Sequence, residues 1–240
     1  MSRALIVLLI ALLGVVAIVA DRMIVRLPQK ILEIDVALPA PSLQIDPAPV
    51  SMPAIKPVLV DPLSVNCQAL ASSVEKVAGE VWGIEAPTAR LLAQLHQESR
   101  CEPGAISIKD ARGIAQFIGP TARLMAARYP ELAPADPTSE KWAIRAQAYL
   151  MRDLLAHYDA APTSCDQWAL ALGGYNGGER ALDNENAQTG HSYEWAKVEP
   201  KRARSLPAWR ENRDYVRRVL RQIEPQLVRA GYGLGVELCV

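Results

Sequence analysis

The sequence of 240 residues is short of two features that often indicate a function. It has no net charge, because its 26 Lys and Arg residues equal its 26 Asp and Glu residues, so charge alone indicates no nucleic-acid partner. Aromatic residues make up only 5% of the chain, with a single Phe. We therefore expect a core of Leu, Ile, Val and Ala, which suits packed helices.

A metal-binding pattern is also missing. The cysteines and histidines show neither the Cys-x-x-Cys nor the Cys/His spacing of a zinc site; they are Cys67, Cys101, Cys165, Cys239, His96, His157 and His191. We therefore predict no metal and no cofactor. Four cysteines, an even number, are typical of an oxidising compartment, although buried free thiols fit the count equally well.

The chain begins with a long apolar run. Residues 4–20 contain no charged residue, and at about 1.5 Å per residue a helix over them spans roughly 25 Å, slightly less than the hydrocarbon core of a bilayer. We interpret residues 1–26 as an N-terminal membrane anchor, with a signal peptide as the alternative.

Residues 27–63 differ in composition from the rest of the chain. They hold eight prolines and no aromatic residue, and proline at this density prevents a continuous helix and favours extended chain. We predict a Pro-rich linker that gives the following domain reach, on the order of 100 Å at about 3.1 Å per residue; a linker of no particular length is the alternative.

From residue 64 to residue 240 the apolar pattern is helical. It predicts helices over 68–78 and 121–129, a helix that starts after Pro87 and ends near Glu98, and a longer helix that starts after Asp136. Any small sheet is expected within 184–200. The fold class is therefore all-α.

Glu98 is the most informative single residue. Helical spacing places it on one stripe with Leu91 and Leu95, at the end of a helix, so loss of water and the helix dipole both favour the neutral acid. A glutamic acid with a raised pKa is suited to general-acid cleavage of a glycosidic bond. For an isolated glutamate the ordinary alternative is a solvent-exposed helix end.

The residues around Glu98 form an extended motif. It comprises Glu98, Ser99, Pro103, Ala105, Ser107, the segment 110–116 that ends in Gly113-x-x-Gln116, and Thr121. This motif resembles the first motif of the soluble lytic transglycosylases, the SLT-domain enzymes of the lysozyme-like superfamily that cleave peptidoglycan. Ile114 and Ala115 stand where that family usually has leucine and methionine.

Two later segments extend the resemblance. The glycine-rich stretch 173–178 contains Tyr175 and Asn176 and is predicted to end its helix in a flexible turn. It is similar to the family's Ala-Tyr-Asn-Ala-Gly element. The segment 211–216 is similar to the Glu-Thr-x-x-Tyr-Val element, with Asn212 in place of the threonine. The alternative for the segment 211–216 is that it is the solvent-exposed start of a helix, with Tyr215 as one of the residues that the helix buries.

The resemblance implies a lysozyme-like helical domain with a groove and assigns roles within it. Glu98 would be the acid and then the base in cleavage of the MurNAc–GlcNAc β-1,4 bond, with formation of 1,6-anhydroMurNAc. Tyr175 would lie near Glu98 and hold it in place. The remaining substrate-binding residues implied are Ser107, Gln116, Asn176 and Glu211.

Two other functions remain open from the sequence. Asp110, Glu179 or Glu194 as a second carboxylate across the groove would favour hydrolysis of the lysozyme type. The chain would otherwise be a non-catalytic, membrane-tethered peptidoglycan-binding module.

The resemblance also sets the expected partners and location. Glycan strands of peptidoglycan are the predicted substrate, and residues 4–20 would anchor the protein in a bacterial inner membrane with its domain in the periplasm. Nine Lys or Arg residues between 197 and 221 would form either a patch for anionic wall polymer or lipid, or a solvated surface.

Cysteine positions relative to the motifs suggest a pairing in that compartment. Cys67 and Cys239 bracket the predicted domain, whereas Cys101 follows the helix of Glu98 and Cys165 precedes the second motif. We expect disulfides Cys67–Cys239 and Cys101–Cys165.

Overall fold

The structure is a computed structural model that describes residues 63–233 and 238–239. The predicted anchor and nearly all of the predicted linker lie outside these residues. Within them, no helix combines the length and the apolar character needed to cross a bilayer. All described residues belong to one compact unit, 56–240.

Nine α-helices make up most of the described chain. They are α1 (Val65–Trp82), α2 (Thr88–Ser99), α3 (Gly119–Arg128), α4 (Glu140–His157), α5 (Ser164–Gly177), α6 (Glu179–Ala187), α7 (Trp195–Val198), α8 (Leu206–Arg218) and α9 (Glu224–Arg229). Short 3₁₀ turns occupy Gly83–Glu85 and Pro130–Leu132, and a π-helical segment, Val219–Ile223, joins α8 to α9.

The all-α expectation agrees with these residues, which contain no strand. Residues 184–200, the place predicted for any small sheet, contain the end of α6, a loop and α7. The only β-type pairings in the described part are isolated antiparallel bridges between Ile106 and Arg112 and between Arg112 and Phe117. They close the loop between α2 and α3.

Helix boundaries differ from the predictions at two glycines. The first helix was predicted to end at Gly79, but α1 continues to Trp82 with Gly79 inside it. The glycine-rich stretch was predicted to leave its helix after Leu172, but α5 continues through Gly177. Both predictions were wrong because tertiary packing overrides the low helix propensity of glycine.

Packing explains why α5 keeps its glycines. A Cβ at Gly173 would lie 3.2 Å from the Leu182 side chain, and one at Gly174 would lie 3.2 Å from that of Leu154. The missing side chains therefore let α4 and α6 approach α5 closely.

Helix α2 lies in the centre of the core. Leu91, Leu92 and Leu95 are almost completely buried, and α1 and α9 pack against the helix. Its Arg90 is 1% exposed and donates from Nε to both carboxylate oxygens of Glu224 at 2.9 Å. This buried ion pair fixes α2 against α9, which sets where the end of α2 lies.

The disulfides are Cys67–Cys101 and Cys165–Cys239, so the predicted pairing was wrong. Helices α1 and α2 pack side by side, which brings Cys67 next to the residue that follows Arg100. Cys239 bonds to Cys165 at the start of α5, and its sulfur also accepts a hydrogen bond of 3.6 Å from Arg90 on the central helix. Pairing followed spatial neighbours rather than the order of the motifs.

Candidate active site

Glu98 lies in the last turn of α2, as the sequence predicted. The helix ends at Ser99, and Arg100 follows in the left-handed conformation. Glu98 is half-buried, and its Oε1 accepts a hydrogen bond of 2.6 Å from the Tyr215 hydroxyl of α8. The carboxyl group on α2 is therefore held by a residue of α8 that is 117 positions away in sequence.

The surroundings of Glu98 favour its neutral form. Loss of water around the carboxyl group raises its pKa from 4.5 to about 8, although the hydrogen bond from Tyr215 acts in the opposite direction. The negative charge of Glu211 raises the pKa further. Glu98 is thus mainly protonated at neutral pH and able to donate a proton.

The loop between α2 and α3 forms one wall beside Glu98. The Ser99 hydroxyl donates to the Ile114 carbonyl oxygen at 2.7 Å and attaches the loop to the end of α2. Gly113 has φ +71°, and a Cβ there would overlap the carbonyl oxygen of Pro137. The loop is consequently held against both α2 and the segment before α4.

The side chains of Ser107 and Gln116 stabilise this loop. Ser107 Oγ accepts hydrogen bonds from the backbone N–H groups of Lys109 and Ala111 at 3.2 and 3.0 Å. Gln116 donates from Nε2 to the carbonyl oxygen of Gly113 at 2.8 Å. Both residues are half-buried in the loop, and in the described residues neither forms a hydrogen bond with Glu98.

Tyr175 lies close to Glu98 but bonds elsewhere. Its hydroxyl donates to the Ala115 carbonyl oxygen at 2.7 Å. Burial and then the charge of Glu98 raise the pKa of Tyr175 well above its ordinary value, so the two groups are within electrostatic reach. Tyr175 was expected to lie near Glu98 and hold it in place, but the hydrogen bond to Glu98 comes from Tyr215 of α8.

Asn176 is oriented by the residue that replaces the family's threonine. Asn212, which is completely buried, donates from Nδ2 to Asn176 Oδ1 at 3.0 Å and to the Gly173 carbonyl oxygen at 2.8 Å. Asn212 Oδ1 in turn accepts from Arg213 at 2.6 Å. An amide can both donate and accept in this way, so Asn212 fits a position between α5 and a buried arginine.

Glu211 lies one turn before Tyr215 on α8. It is exposed, and its carboxylate lies 3.7 Å from the Lys109 ammonium group on the opposite loop. Both side chains keep most of their exposure, so this ion pair stabilises the fold little. Its position instead marks where the α2–α3 loop and α8 come together near Glu98.

No functional role was predicted for Tyr215 or for two buried amides, Gln94 and Gln147. Gln147 donates to Gln94 Oε1 at 2.9 Å and to the Leu91 carbonyl oxygen at 3.0 Å, and both amide side chains are completely buried. The Gln94 amide also interacts with the Tyr215 hydroxyl. The available signal was Gln94 itself, a polar residue one turn before Glu98 on an otherwise apolar face.

A cleft of about 690 Å³ opens at the end of α2 and includes Glu98. Residues 96–100 line it together with residues from the end of α8, the π-helical segment and α9, and Leu63, Gln68, Ala230 and Tyr232 complete the lining. The predicted substrate-binding residues do not line this cleft; they are Ser107, Gln116, Tyr175, Asn176 and Glu211. This volume lies within the range of ~300–1,000 Å³ that is usual for ligand sites. A protonated carboxyl group at a cleft of this size is suited to acid catalysis on a bound ligand.

A comparison with protein-family models matches residues 73–198 to the Transglycosylase SLT domain. The match covers more than half of the chain and includes both Glu98 and the Tyr175–Asn176 segment. The chain belongs to the SLT transglycosylase family. No curated protein matches it closely enough to report as a relative.

Membership in the SLT family confirms the resemblance derived from the motifs. It assigns the chain, at the level of the family, a peptidoglycan-acting function of the lytic transglycosylase type. The family match ends at residue 198, before α8. Tyr215 and Glu211 are therefore placed at this SLT site by the structure and not by the matched segment.

Proposed function

We propose that this SLT-family protein is a peptidoglycan lytic transglycosylase in which Glu98 is the catalytic acid and base. It would cleave the MurNAc–GlcNAc β-1,4 bond and leave a 1,6-anhydroMurNAc end. The observation that carries this proposal is the position of Glu98, which is neutral at pH 7 and lies at the edge of a cleft.

The first step is proton transfer from Glu98 to the glycosidic oxygen. A pKa of about 8 keeps the proton on the carboxyl group until the bond breaks. Tyr215 fixes Oε1 by its hydrogen bond, so the acid has a defined orientation. After bond cleavage the resulting carboxylate is a base that takes the proton of the sugar's own 6-hydroxyl.

An internal nucleophile needs no second carboxylate, because proximity replaces it. Of the three candidates from the sequence, Asp110 pairs with Arg112 and Glu194 pairs with Lys197, each on the surface, and Glu179 is exposed at the start of α6. Glu211 does influence Glu98 by its charge. Because of this influence, lysozyme-type hydrolysis is the second candidate function. In that reaction Glu211 would be the base that activates a water molecule.

The remaining residues would shape the groove. Ser107 and Gln116 hold the loop beside Glu98, Tyr175 holds the same loop through Ala115, and Asn176 presents its amide from α5. We also propose that residues 4–20 anchor the protein in a bacterial inner membrane with residues 64–240 in the periplasm. Two disulfides support an oxidising compartment for this domain.

The products formed from peptidoglycan test the proposal. Mass spectrometry of the fragments should show 1,6-anhydro ends, and Glu98→Gln should reduce their formation by at least about 10²-fold, because the amide cannot donate the proton. Glu102→Gln, three residues beyond the end of α2 and exposed, is the matched control and should retain the rate. Reducing ends would instead establish hydrolysis, and binding without any product would establish a binding module.

A further inference from the structure

The face of α8 that carries Tyr215 continues as a polar stripe into the cleft. Glu211, Tyr215 and Arg218 follow one another at helical spacings of four and three residues, so they share one side of α8, and Gln222 follows in the π-helical segment. Tyr215 contacts Glu98, whereas Arg218 and Gln222 line the cleft beyond it. Arg218 therefore lies in the same cleft as Glu98.

The cleft beyond Glu98 is rich in groups that donate hydrogen bonds to anions. Its lining includes the amides Gln68, Gln97, Gln222 and Gln226 and the guanidinium group of Arg218. Glu98 is the only acidic residue among the residues that line the cleft, and its pKa of about 8 leaves it neutral at pH 7. The cleft is thus a positively charged environment that favours a negatively charged ligand.

Two features indicate that Arg218 serves a ligand rather than the fold. In the described part of the chain, its guanidinium group has no hydrogen bond and no salt bridge, and the residue is exposed. Its charge does act on Asp214, whose pKa is lowered mainly by the hydrogen bond from Arg217 and further by Arg218. The neighbouring Arg217, by contrast, pairs with Asp214 at 2.9 Å. The π-helical segment also begins directly after Arg218, and such segments are rare and often occur at functional sites.

We propose that this cleft binds the carboxylates of the stem peptide on the glycan strand, and that Arg218 is a specificity-determining residue for peptide-bearing strands. The inference rests on the proposed function. A guanidinium group binds a carboxylate through two parallel hydrogen bonds, and the surrounding amides match the polar backbone of a short peptide. Strands stripped of their peptides keep only the lactyl carboxylate next to the sugar, so they lose the more distant contacts.

The test compares two substrates with the full-length protein. One consists of peptide-bearing glycan strands, and the other consists of the same strands after an amidase has removed the peptides. The measured quantity is kcat/KM on peptide-bearing strands divided by kcat/KM on stripped strands. Arg218→Gln should lower this ratio by about tenfold, because one charge-assisted hydrogen bond is lost. Arg218→Lys should keep part of the preference.

Arg221→Gln is the matched control. It removes the same charge three residues further on, from an exposed side chain that does not line the cleft, and it should leave the ratio as in the wild type. Three results would overturn this inference without affecting the proposed function. They are an unchanged ratio in Arg218→Gln, an equal fall of the ratio in Arg221→Gln, and a greater loss of kcat/KM on stripped strands than on peptide-bearing strands. Absence of product from both strands with the wild-type protein would overturn the proposed function and this inference with it.

Discussion

At the scale of single residues, the hydrogen bond between Tyr215 and Glu98 controls both the orientation and the acidity of the proposed acid. The bond is 2.6 Å long and lies in a region from which water is largely excluded. Because it stabilises the charged carboxylate, it lowers the pKa of Glu98, which burial has raised. We therefore expect the proposed activity to depend on a hydroxyl group that takes no part in bond cleavage.

The pH dependence of kcat/KM should show this coupling. The acid works in its protonated form, so kcat/KM should be constant below the pKa of about 8 and fall as the pH rises through it. Tyr215→Phe removes an interaction that lowers the pKa, so the alkaline limb should move to higher pH. The rate at pH 7 should fall about tenfold, because Glu98 loses its orientation.

Tyr149→Phe is the control for that experiment. The Tyr149 hydroxyl also donates to a glutamate, Glu131, but the pair lies on an exposed surface. Its removal should leave the pH profile of kcat/KM unchanged. An alkaline limb in Tyr215→Phe that stays in place or moves to lower pH would contradict the role of the Tyr215 hydroxyl.

At the scale of elements, the α2–α3 loop depends on a glycine whose backbone conformation other residues rarely adopt. Gly113 combines φ +71° with a backbone oxygen, that of Pro137, where a Cβ would lie. The loop carries Ser107 and Gln116, whose hydrogen bonds maintain its shape. A larger residue at 113 must displace the loop from the segment before α4.

Gly113→Ala should therefore reduce both stability and activity. We expect a loss of about 1–3 kcal/mol in the free energy of unfolding from the strained conformation, together with a clear fall in kcat/KM as the loop moves away from Glu98. Gly104→Ala, in the same loop, is the control, because no atom lies within 4 Å of a Cβ there and its φ is not positive. Equal effects of the two substitutions in denaturation and kinetics would exclude this explanation.

A second element-scale dependence is the attachment of α2 to α9 by Arg90 and Glu224. Both side chains are 1% exposed, and Arg90 also lies over the Trp168 ring at 4.7 Å. A charge in such a position is costly to bury without its partner. The position of Glu98 at the other end of α2 relies on this attachment.

Glu224→Gln should destabilise the protein by about 3–5 kcal/mol, because it leaves the Arg90 charge without its counterion. Denaturant unfolding measures this effect. Glu194→Gln breaks the exposed pair with Lys197 and should cost less than about 1 kcal/mol. A cost for Glu224→Gln as small as that of the control would show that the buried pair is not needed for stability.

At the scale of the whole molecule, the two disulfides connect elements that are distant in sequence. Cys67–Cys101 closes a segment of 34 residues and joins α1 to the residue after α2. Cys165–Cys239 closes 74 residues and joins the start of α5 to the chain terminus. Together they restrict the unfolded chain around both sides of the site.

Peptide mapping under non-reducing conditions should recover exactly these two linkages. Reduction of either bond, or its paired replacement by serine, should lower the free energy of unfolding by up to about 4 kcal/mol on the chain-entropy account, slightly more for the longer loop. A map that shows Cys67 linked to Cys239 would contradict this fold. Replacement of the exposed Ser72 by alanine provides a reference without a cross-link.

The sequence by itself determined the features that depend on local spacing. The helical period placed Glu98 with Leu91 and Leu95 at the end of a helix, and the Glu-Ser and Gly-x-x-Gln spacing identified the SLT family. These features follow from neighbours within a few turns, where side-chain direction is set by the 3.6-residue repeat. Neither the helix period nor the motif requires knowledge of how helices cross.

Only the tertiary structure decided the contacts made between distant segments. Tyr215 reaches Glu98 from 117 residues away, Gly173 and Gly174 continue a helix because neighbouring helices fill the space beside them, and Cys67 pairs with Cys101 because α1 packs along α2. Each depends on the crossing of packed helices, which is fixed by the summed fit of many buried side chains. No single stretch of sequence carries that information.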